Sequence, residues 1–256
     1  MTVKTIYDLI QAVAPFDTQM EGDNSGLLVG SPAQEVTKIL FALDITQPVI
    51  DEAVAVGAEL IVTHHPLMFN AIRSLTDETY EGRLIRRLVR ENISFIAAHT
   101  NLDQASGGTN DTLAALCGLV EVSGDGFFRS GFLPEPMTVR AFADLLEENL
   151  ETTVRVMAPE DQAIRRIGLC SGGGSDEWLL AAEAECDAFV SGEIKHHHAL
   201  AMADAGIAAF ECGHFATEEP GLAALAEALQ NSIDHVECNV RVYVSAVSAY
   251  AFPRHP

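Results

Sequence analysis

The sequence predicts an α/β fold of two similar lobes with mixed, largely parallel sheets. Three observations carry this. Apolar runs of strand length alternate with segments of helical period. The alternation occurs twice along the chain with matching spacing. And 256 residues, 48% of them apolar, suffice for one large core or two smaller ones.

The first helix is read from Ile6, Leu9, Ile10 and Val13, which recur at helical spacing behind a capping box of Thr5 and Asp8. Loop chemistry follows in EGDNSGLLVGSP, and KILFAL (38–43) reads as a buried strand. Thr46 then caps a helix with Pro48 in its first turn, and Gly57 ends it before a strand over 59–63. That strand runs into His64-His65-Pro66. A helix over 81–91 and a strand over 94–98 lead to His99 and the loop TNLDQASGGTND, in which Thr109 is placed to cap the next helix.

The second half repeats the plan. Residues 166–170 form a strand, SGGGSDEW turns into a helix reaching Glu185, and 187–191 form a strand ending in GEIKHHH. Asp44 to His64 and Gly173 to Glu193 are both 20 positions apart. A helix (HHALAMADAG) and a strand (AAFEC) then deliver Gly213-His214, as the first half delivered His99. This reads as an internal duplication, with lobes at 1–125 and 126–256 and a C-terminal segment able to pack back on the first. Parallel strands gather ligands at their carboxyl ends, where these polar clusters sit.

Composition excludes several classes. Fifteen Lys and Arg against 37 Asp and Glu give a net charge of −22, which repels a phosphate backbone, so no nucleic-acid partner is expected. No run approaches the length of a membrane span, and the N-terminus reads as a helix rather than a signal peptide, so a cytoplasmic protein with no membrane partner is expected. Cys117, Cys170, Cys186, Cys212 and Cys238 are scattered and never form a Cys-x-x-Cys pair, which argues against a disulfide framework or a zinc knuckle.

Three clusters can carry chemistry. His64 and His65 would point to opposite faces of a regular strand, so they converge only if the strand ends there, and Pro66 favours that bend. Imidazole is the commonest transition-metal ligand type, and two adjacent ones could serve two ions. Asp103 offers a carboxylate soon after the next strand. In ECGHFATEEP, Thr217 reads as an N-cap with Glu218, Glu219 and Pro220 in the first turn, so that His214 precedes the helix and Glu218 opens it, close enough to share a metal. Glu219 is assigned to the helix dipole. His99, Glu193 and one or two of His196, His197 and His198, such as His197, are candidates for supporting the ligands. SGGGSD reads as a tight turn, since neither a P-loop Lys nor a Gly-x-Ser-x-Gly elbow is present. Arg83, Arg86, Arg87 and Arg90, with Arg73 nearby, form either a solvated helix face or an anion-capturing surface. Cys212 reads as a buried small hydrophobe rather than a ligand.

Taken in order, GDNSGLLVG, LDIT, VTHHP, HTNLD, SGGGSD, SGEIKHH and GHFATE resemble the Nif-three-like family, whose bacterial members are often labelled GTP cyclohydrolase I type 2 homologues. The resemblance spans roughly residues 1 to 235. It implies a dinuclear metal centre in the cleft between two α/β lobes and a homohexamer built as a trimer of dimers. By resemblance His65 and Asp103 hold one ion, His64 and His214 the other, and Glu218 bridges. Many relatives have Trp where Gly22 stands and some have His where Phe215 stands, departures that bear on the pocket wall and not on the ligands. Longer relatives carry a domain inserted between the halves, for which this chain has no space.

Five nitrogen and oxygen ligands on two ions leave coordination positions open, as in catalytic sites. The expected function is therefore that of a dinuclear metal-binding protein, a metal-dependent hydrolase acting on a nucleotide-like or phosphoester substrate. The alternative is a metal-handling protein without turnover. Zinc, iron and manganese all suit the ligands, and the catalytic acid is unassigned, with His99 and Glu193 as candidates.

Overall fold

The computed structural model describes residues 1–235 and 239–247. Its elements in chain order are α1 (Val3–Val13), β1 (Gly26–Val29), β2 (Lys38–Ala42), α2 (Gln47–Val56), β3 (Leu60–Thr63), α3 (Tyr80–Arg90), β4 (Ser94–Ala97), α4 (Thr100–Gln104) and α5 (Thr109–Leu116). There follow β5 (Val120–Ser123), β6 (Arg129–Thr138), α6 (Val139–Asn149), β7 (Arg155–Met157), β8 (Ala163–Cys170), α7 (Trp178–Glu183), β9 (Ala188–Ser191), α8 (His196–Asp204), β10 (Ala208–Glu211), α9 (His214–His235) and β11 (Arg241–Val244).

The chain divides into two compact units. Unit 1 is Met1–Ala105 together with the described residues from Leu222 to Val247, and unit 2 is Ser106–Gly221. Where the sequence suggested a boundary near residue 125, the contacts place residues 106–125 in unit 2, because Leu113, Ala114, Cys117 and Leu119 pack into its core. The chain after α9 returns to unit 1, where β11 adds to the sheet beside β2.

In unit 1 the sheet order is β1-β4-β3-β2-β11, with β2, β3, β4 and β11 parallel and β1 antiparallel on the β4 edge. Its central strands are buried on both faces, as parallel strands flanked by helices must be. The period of two shows in the packing: Ile39, Phe41, Leu60, Val62 and Ile96 enter one apolar cluster, while Leu40, Ala42, Ile61, Phe95 and Ala97 enter the other. In unit 2 the order is β5-β6-β8-β9-β10-β7. There β8, β9 and β10 are parallel, β7 is antiparallel on the β10 edge, and β6 is antiparallel on β8. Ile167, Leu169, Ala188, Val190, Ala208 and Phe210 fill one face, and Cys170, Phe189 and Ala209 the other.

The two units follow one plan. Helix, antiparallel edge strand, then strand-helix-strand-helix-strand and a final helix describes α1 to α4 in unit 1 and α6 to the start of α9 in unit 2. Register makes the match residue-specific, since Ile39 pairs with Leu60 as Ile167 pairs with Ala188, and Ala42 pairs with Thr63 as Cys170 pairs with Ser191. Even a side-chain clamp recurs. The Glu59 carboxylate accepts the backbone N–H groups of Thr37 and Lys38 at 3.0 and 2.9 Å, and Asp187 accepts those of Arg165 and Arg166, both at 2.8 Å. Each clamp ties the residue before a central strand to the backbone of its neighbour, at the start of β2 and within β8.

Burial tends to raise the Glu59 carboxyl, but the hydrogen bonds from Thr37 and Lys38 outweigh it and hold the group below its usual 4.5. A depressed folded-state pKa stabilises the fold above the unfolded value, and that contribution is lost as pH falls through the folded one. The Glu59→Gln protein is therefore expected to lose stability at neutral pH while its denaturant midpoint changes less than wild type below about pH 4.5. Paired urea titrations at pH 7 and below pH 4 check this.

Local chemistry explains the element ends. Thr46 accepts from Val49 N, Pro48 lies in the first turn of α2, and Gly57 ends that helix at φ +70°, as its sequence demands. Thr79 caps α3 through Gly82 N. Three ends differ from expectation. Thr2, not Thr5, caps α1 by accepting from Thr5 N. Gly108 precedes α5, and Thr109 is its first residue. Helix α9 begins at His214, so Thr217 lies inside it and Pro220 falls beyond its first turn. The Thr217 hydroxyl is engaged with the Gly213 and His214 carbonyls at 3.0 and 2.9 Å, and it accepts from Gly172 N at 3.0 Å, which removes it from a capping role.

Candidate metal centre

In unit 1, β3 ends at Thr63 and the chain bends through His64-His65-Pro66 at the carboxyl end of the sheet. The bend lets both imidazoles turn inward on the same side, with ring centroids 5.0 Å apart, and His99, after β4, brings a third ring 5.1 Å from His64 and 5.6 Å from His65. One ring nitrogen from each of these three falls within 4.8 Å of the other two, a group that could hold a metal ion. Asp103 is reached through α4, and its Oδ1 lies 3.5 Å from Nε2 of the fully buried His64.

Each ring is anchored through Nδ1. His64 Nδ1 lies 2.9 Å from the Ala98 carbonyl, His65 Nδ1 2.8 Å from Asp44 Oδ1, and His99 Nδ1 2.8 Å from Asp23 Oδ1. A carbonyl or an ionised carboxylate can only accept, so Nδ1 carries the proton and donates, and the neutral ring keeps its lone pair on Nε2. This is how proteins fix metal-binding histidines.

Asp23 is a further anchor. Its carboxylate accepts from His99, from Ser25 Oγ at 3.2 Å, from the Thr100 N–H at 3.2 Å and from the Thr100 hydroxyl. Burial alone would raise its pKa, but the hydrogen bonds from His99 and Thr100 outweigh that effect and hold it far below the ordinary carboxylate range. Neither Asp23 nor Asp44 was singled out from the sequence as a site residue. The available signal was position: Asp44 follows a central strand immediately, and Asp23 sits in GDNSG, a loop polar beyond the needs of a turn.

In unit 2, His214 opens α9 and Glu218 follows one turn later on the same face. His214 Nδ1 lies 3.1 Å from Glu193 Oε1 and its Nε2 lies 3.0 Å from Oε2 of the buried Glu218. With Nδ1 donating to Glu193, the Nε2 lone pair faces a carboxylate oxygen, and two acceptors at that distance share either a proton, on the ring or on the carboxyl, or a cation. Gly172, at φ +56°, closes the space beside Glu218: a Cβ there would stand 1.9 Å from Glu218 Oε1 and 3.3 Å from His214 Nε2. The donor set thus suits a cation in both units.

Other sequence candidates go elsewhere. His197 is exposed on α8, edge-on to His198 at 4.2 Å, while His198 turns to Ser175 Oγ at 3.1 Å. The α3 arginines are largely occupied within unit 1: Arg86 pairs with Asp77 at 2.9 Å, Arg87 with Asp51 at 2.7 Å, and Arg83 bonds the Asp77 carbonyl at 3.1 Å. Residues 171–174 form the expected tight turn, closed by Gly174 N to the Ser171 carbonyl at 3.1 Å. Cys212 is buried, and that burial pushes its thiol up to about 12, so it stays a neutral apolar filler. Cys238 lies outside the described residues.

Fold and site together define an α/β protein with a duplicated unit and histidine and carboxylate donors at its strand ends. The family model described as Duf34/NIF3 (NGG1p interacting factor 3) matches residues 1–250. A curated GTP cyclohydrolase 1 type 2 homolog of Clostridium perfringens is 33% identical over 244 residues, covering 91% of this chain and 93% of that one. Another, from Streptomyces coelicolor, is 33% identical over 251 residues, covering 92% and 88%. Among solved structures, Staphylococcus aureus protein SA1388 is 28% identical, with a TM-score of 0.93 over 100% of this chain and 99% of that one. The chain belongs to the Duf34/NIF3 family. Among the described residues no helix is long and apolar enough to cross a membrane.

Proposed function

We propose that the protein binds two divalent ions through His64, His65, Asp103, His214 and Glu218 and uses them as a metal-dependent hydrolase on a phosphoester or nucleotide-like substrate. The observation that carries this reading is the common anchoring of His64, His65, His99 and His214 through Nδ1, each to an acceptor, with Asp103 and Glu218 facing Nε2 atoms. Four histidines with one tautomer are preorganised for cations. The names of the curated relatives support a hydrolytic class.

When bound, such ions supply Lewis acidity and make a nucleophile from water at neutral pH. The residues supply the rest. Asp44 and Asp23 hold the His65 and His99 rings in place, Glu193 does the same for His214, and burial of His64 and Glu218 excludes bulk water. Removing an anchor is therefore expected to act through its histidine: Asp44→Ala should weaken metal binding by about 10- to 100-fold, read by competition with a chelator of known affinity. The homohexamer implied by the family resemblance belongs to the same proposal, and light scattering reads it directly.

The deciding experiment is elemental analysis of purified protein with a panel of phosphoesters and nucleotides. Two ions per chain, with turnover lost in His64→Ala and Glu218→Ala, support the reading. Undiminished binding of two ions in a His65→Ala, Asp103→Ala double variant overturns the ligand assignment. Absence of turnover with zinc, iron or manganese, alongside transfer of the metal to an acceptor, replaces the hydrolase with a metal-handling protein.

A further inference from the structure

Because the two units share one plan, their connections can be compared one by one. From the third strand to the following helix, unit 2 needs four residues, 192–195 between β9 and α8, whereas unit 1 uses sixteen, 64–79 between β3 and α3. Most of the other shared connections differ little: two residues lead from β4 to α4 and from β10 to α9, and three lead from α3 to β4 and from α8 to β10. The excess is therefore not needed to make the fold. Connections of this length without regular structure are uncommon in compact domains and usually carry function. A second expanded connection, 14–25 against 150–154, lies beside it, and Asn24 Nδ2 donates to the Met68 carbonyl at 2.7 Å, joining the two.

The long connection encloses a cavity of about 260 Å³, lined by Leu67, Phe69, Asn70, Arg73, Thr79 and Glu81 among others. Phe69 is 57% exposed, an unusual position for a large aromatic, and its ring stands edge-on to His99 with centroids 6.2 Å apart. It thus links the cavity to the histidine group. Arg73 is the only cation among the lining residues and makes no ion pair among the described residues. Glu81, the only acid there, lies in the first turn of α3, where the helix dipole offsets its charge. Arg73 therefore offers the cavity a guanidinium that no described carboxylate pairs, in a chain of net charge −22.

We propose that this cavity is the substrate pocket and that it takes a small planar aromatic anion. Phe69 is the stacking platform, Leu67 and Ile72 are the apolar floor, and Arg73 receives a phosphate or carboxylate group. The inference rests on the metal-centre reading for what then happens to the ligand, and not for the binding itself.

The test measures calorimetric binding of phenyl phosphate, inorganic phosphate and phenol to the full chain as purified, with metal content determined on the same samples. Phenyl phosphate is expected to bind at least tenfold more tightly than either fragment. Phe69→Ala should remove most of that advantage over inorganic phosphate, and Arg73→Ala should weaken phenyl phosphate about tenfold or more. Both variants should keep the wild-type metal content, since neither residue is a ligand. Should Arg73→Ala and Phe69→Ala both bind phenyl phosphate as wild type does, the pocket is wrong, whatever the metal content. Should the protein hold no metal yet show both losses, the pocket stands and the hydrolase reading falls. Conservative Arg73→Lys is expected to recover part of the affinity, which a merely structural role for Arg73 would not predict.

Discussion

A Gly172→Ala protein is expected to fold and to lose most of its metal affinity. The backbone there is left-handed at φ +56°, which costs an alanine about 1 kcal/mol. The larger effect is steric, because the new methyl would lie 1.9 Å from Glu218 Oε1 and 2.9 Å from its Cδ. Those atoms are the far end of a flexible side chain, so the carboxylate swings aside and the sheet stays where it is. A carboxylate that moves aside by the width of a methyl group can no longer share a cation with His214 Nε2, now 3.0 Å from it. Loss of a ligand exceeds the effect of losing a supporting residue, so metal affinity should fall by roughly a hundredfold or more. Chelator competition with circular dichroism on the same sample checks this: unchanged secondary structure with unchanged metal affinity would show that Glu218 is not a ligand.

The second large effect is on the fold. Phe189 is fully buried on β9, the central strand between β8 and β10, and packs with Phe128, Ala181, Met202 and Ile207. Its neighbours come from α7, α8 and the chain just before β6 and β10, which cannot collapse inward independently, so Phe189→Ala leaves a cavity. The expected cost is about 3–5 kcal/mol, a large part of the roughly 5–15 kcal/mol that stabilises a typical domain. Urea denaturation followed by tryptophan fluorescence reads it, since the chain's single tryptophan, Trp178, belongs to the same cluster. A loss below 1 kcal/mol would mean that the cluster repacks. Removing Phe189 should leave the candidate ligands His64, His65 and Asp103 of unit 1 untouched, which separates this effect from the first.

Much of the fold was legible because it is encoded locally. Thr46, Pro48 and Gly57 bracket α2 by their own backbone preferences, and KILFAL can be little else than a strand buried on both faces. The duplication could be read from spacing because the paired residues Ile39 and Leu60, and Ile167 and Ala188, stand the same distance apart along the chain. What escaped depended on distant partners. Strand β11, only four residues long, joins its sheet by pairing with β2, about two hundred residues earlier. Strand β6 contains Pro134 and Pro136, residues that argue against a strand until the register shift between Phe132 and Met137 is seen to accommodate them.

The same division holds for the site. His64, His65, Asp103, His214 and Glu218 announce themselves by residue type and by their place after strands. Asp23 and Asp44 do not, since each looks like an ordinary turn acid until a histidine 76 or 21 positions away is found against it. Thr217 shows the limit in the other direction: its type suggested a cap, but its hydroxyl is claimed by Gly172 and the preceding turn, and α9 starts three residues earlier.

Sequence by itself determined the α/β alternation, the repeated unit, the family and the residue types available to a cation, because these follow from periodicity, turn chemistry and local order. Tertiary structure decided which carboxylate anchors which imidazole, and therefore which nitrogen keeps its lone pair. It also decided that the sixteen residues after β3 enclose a cavity beside His99. Both depend on contacts between residues far apart in the chain, and no local preference specifies a partner that only folding brings near.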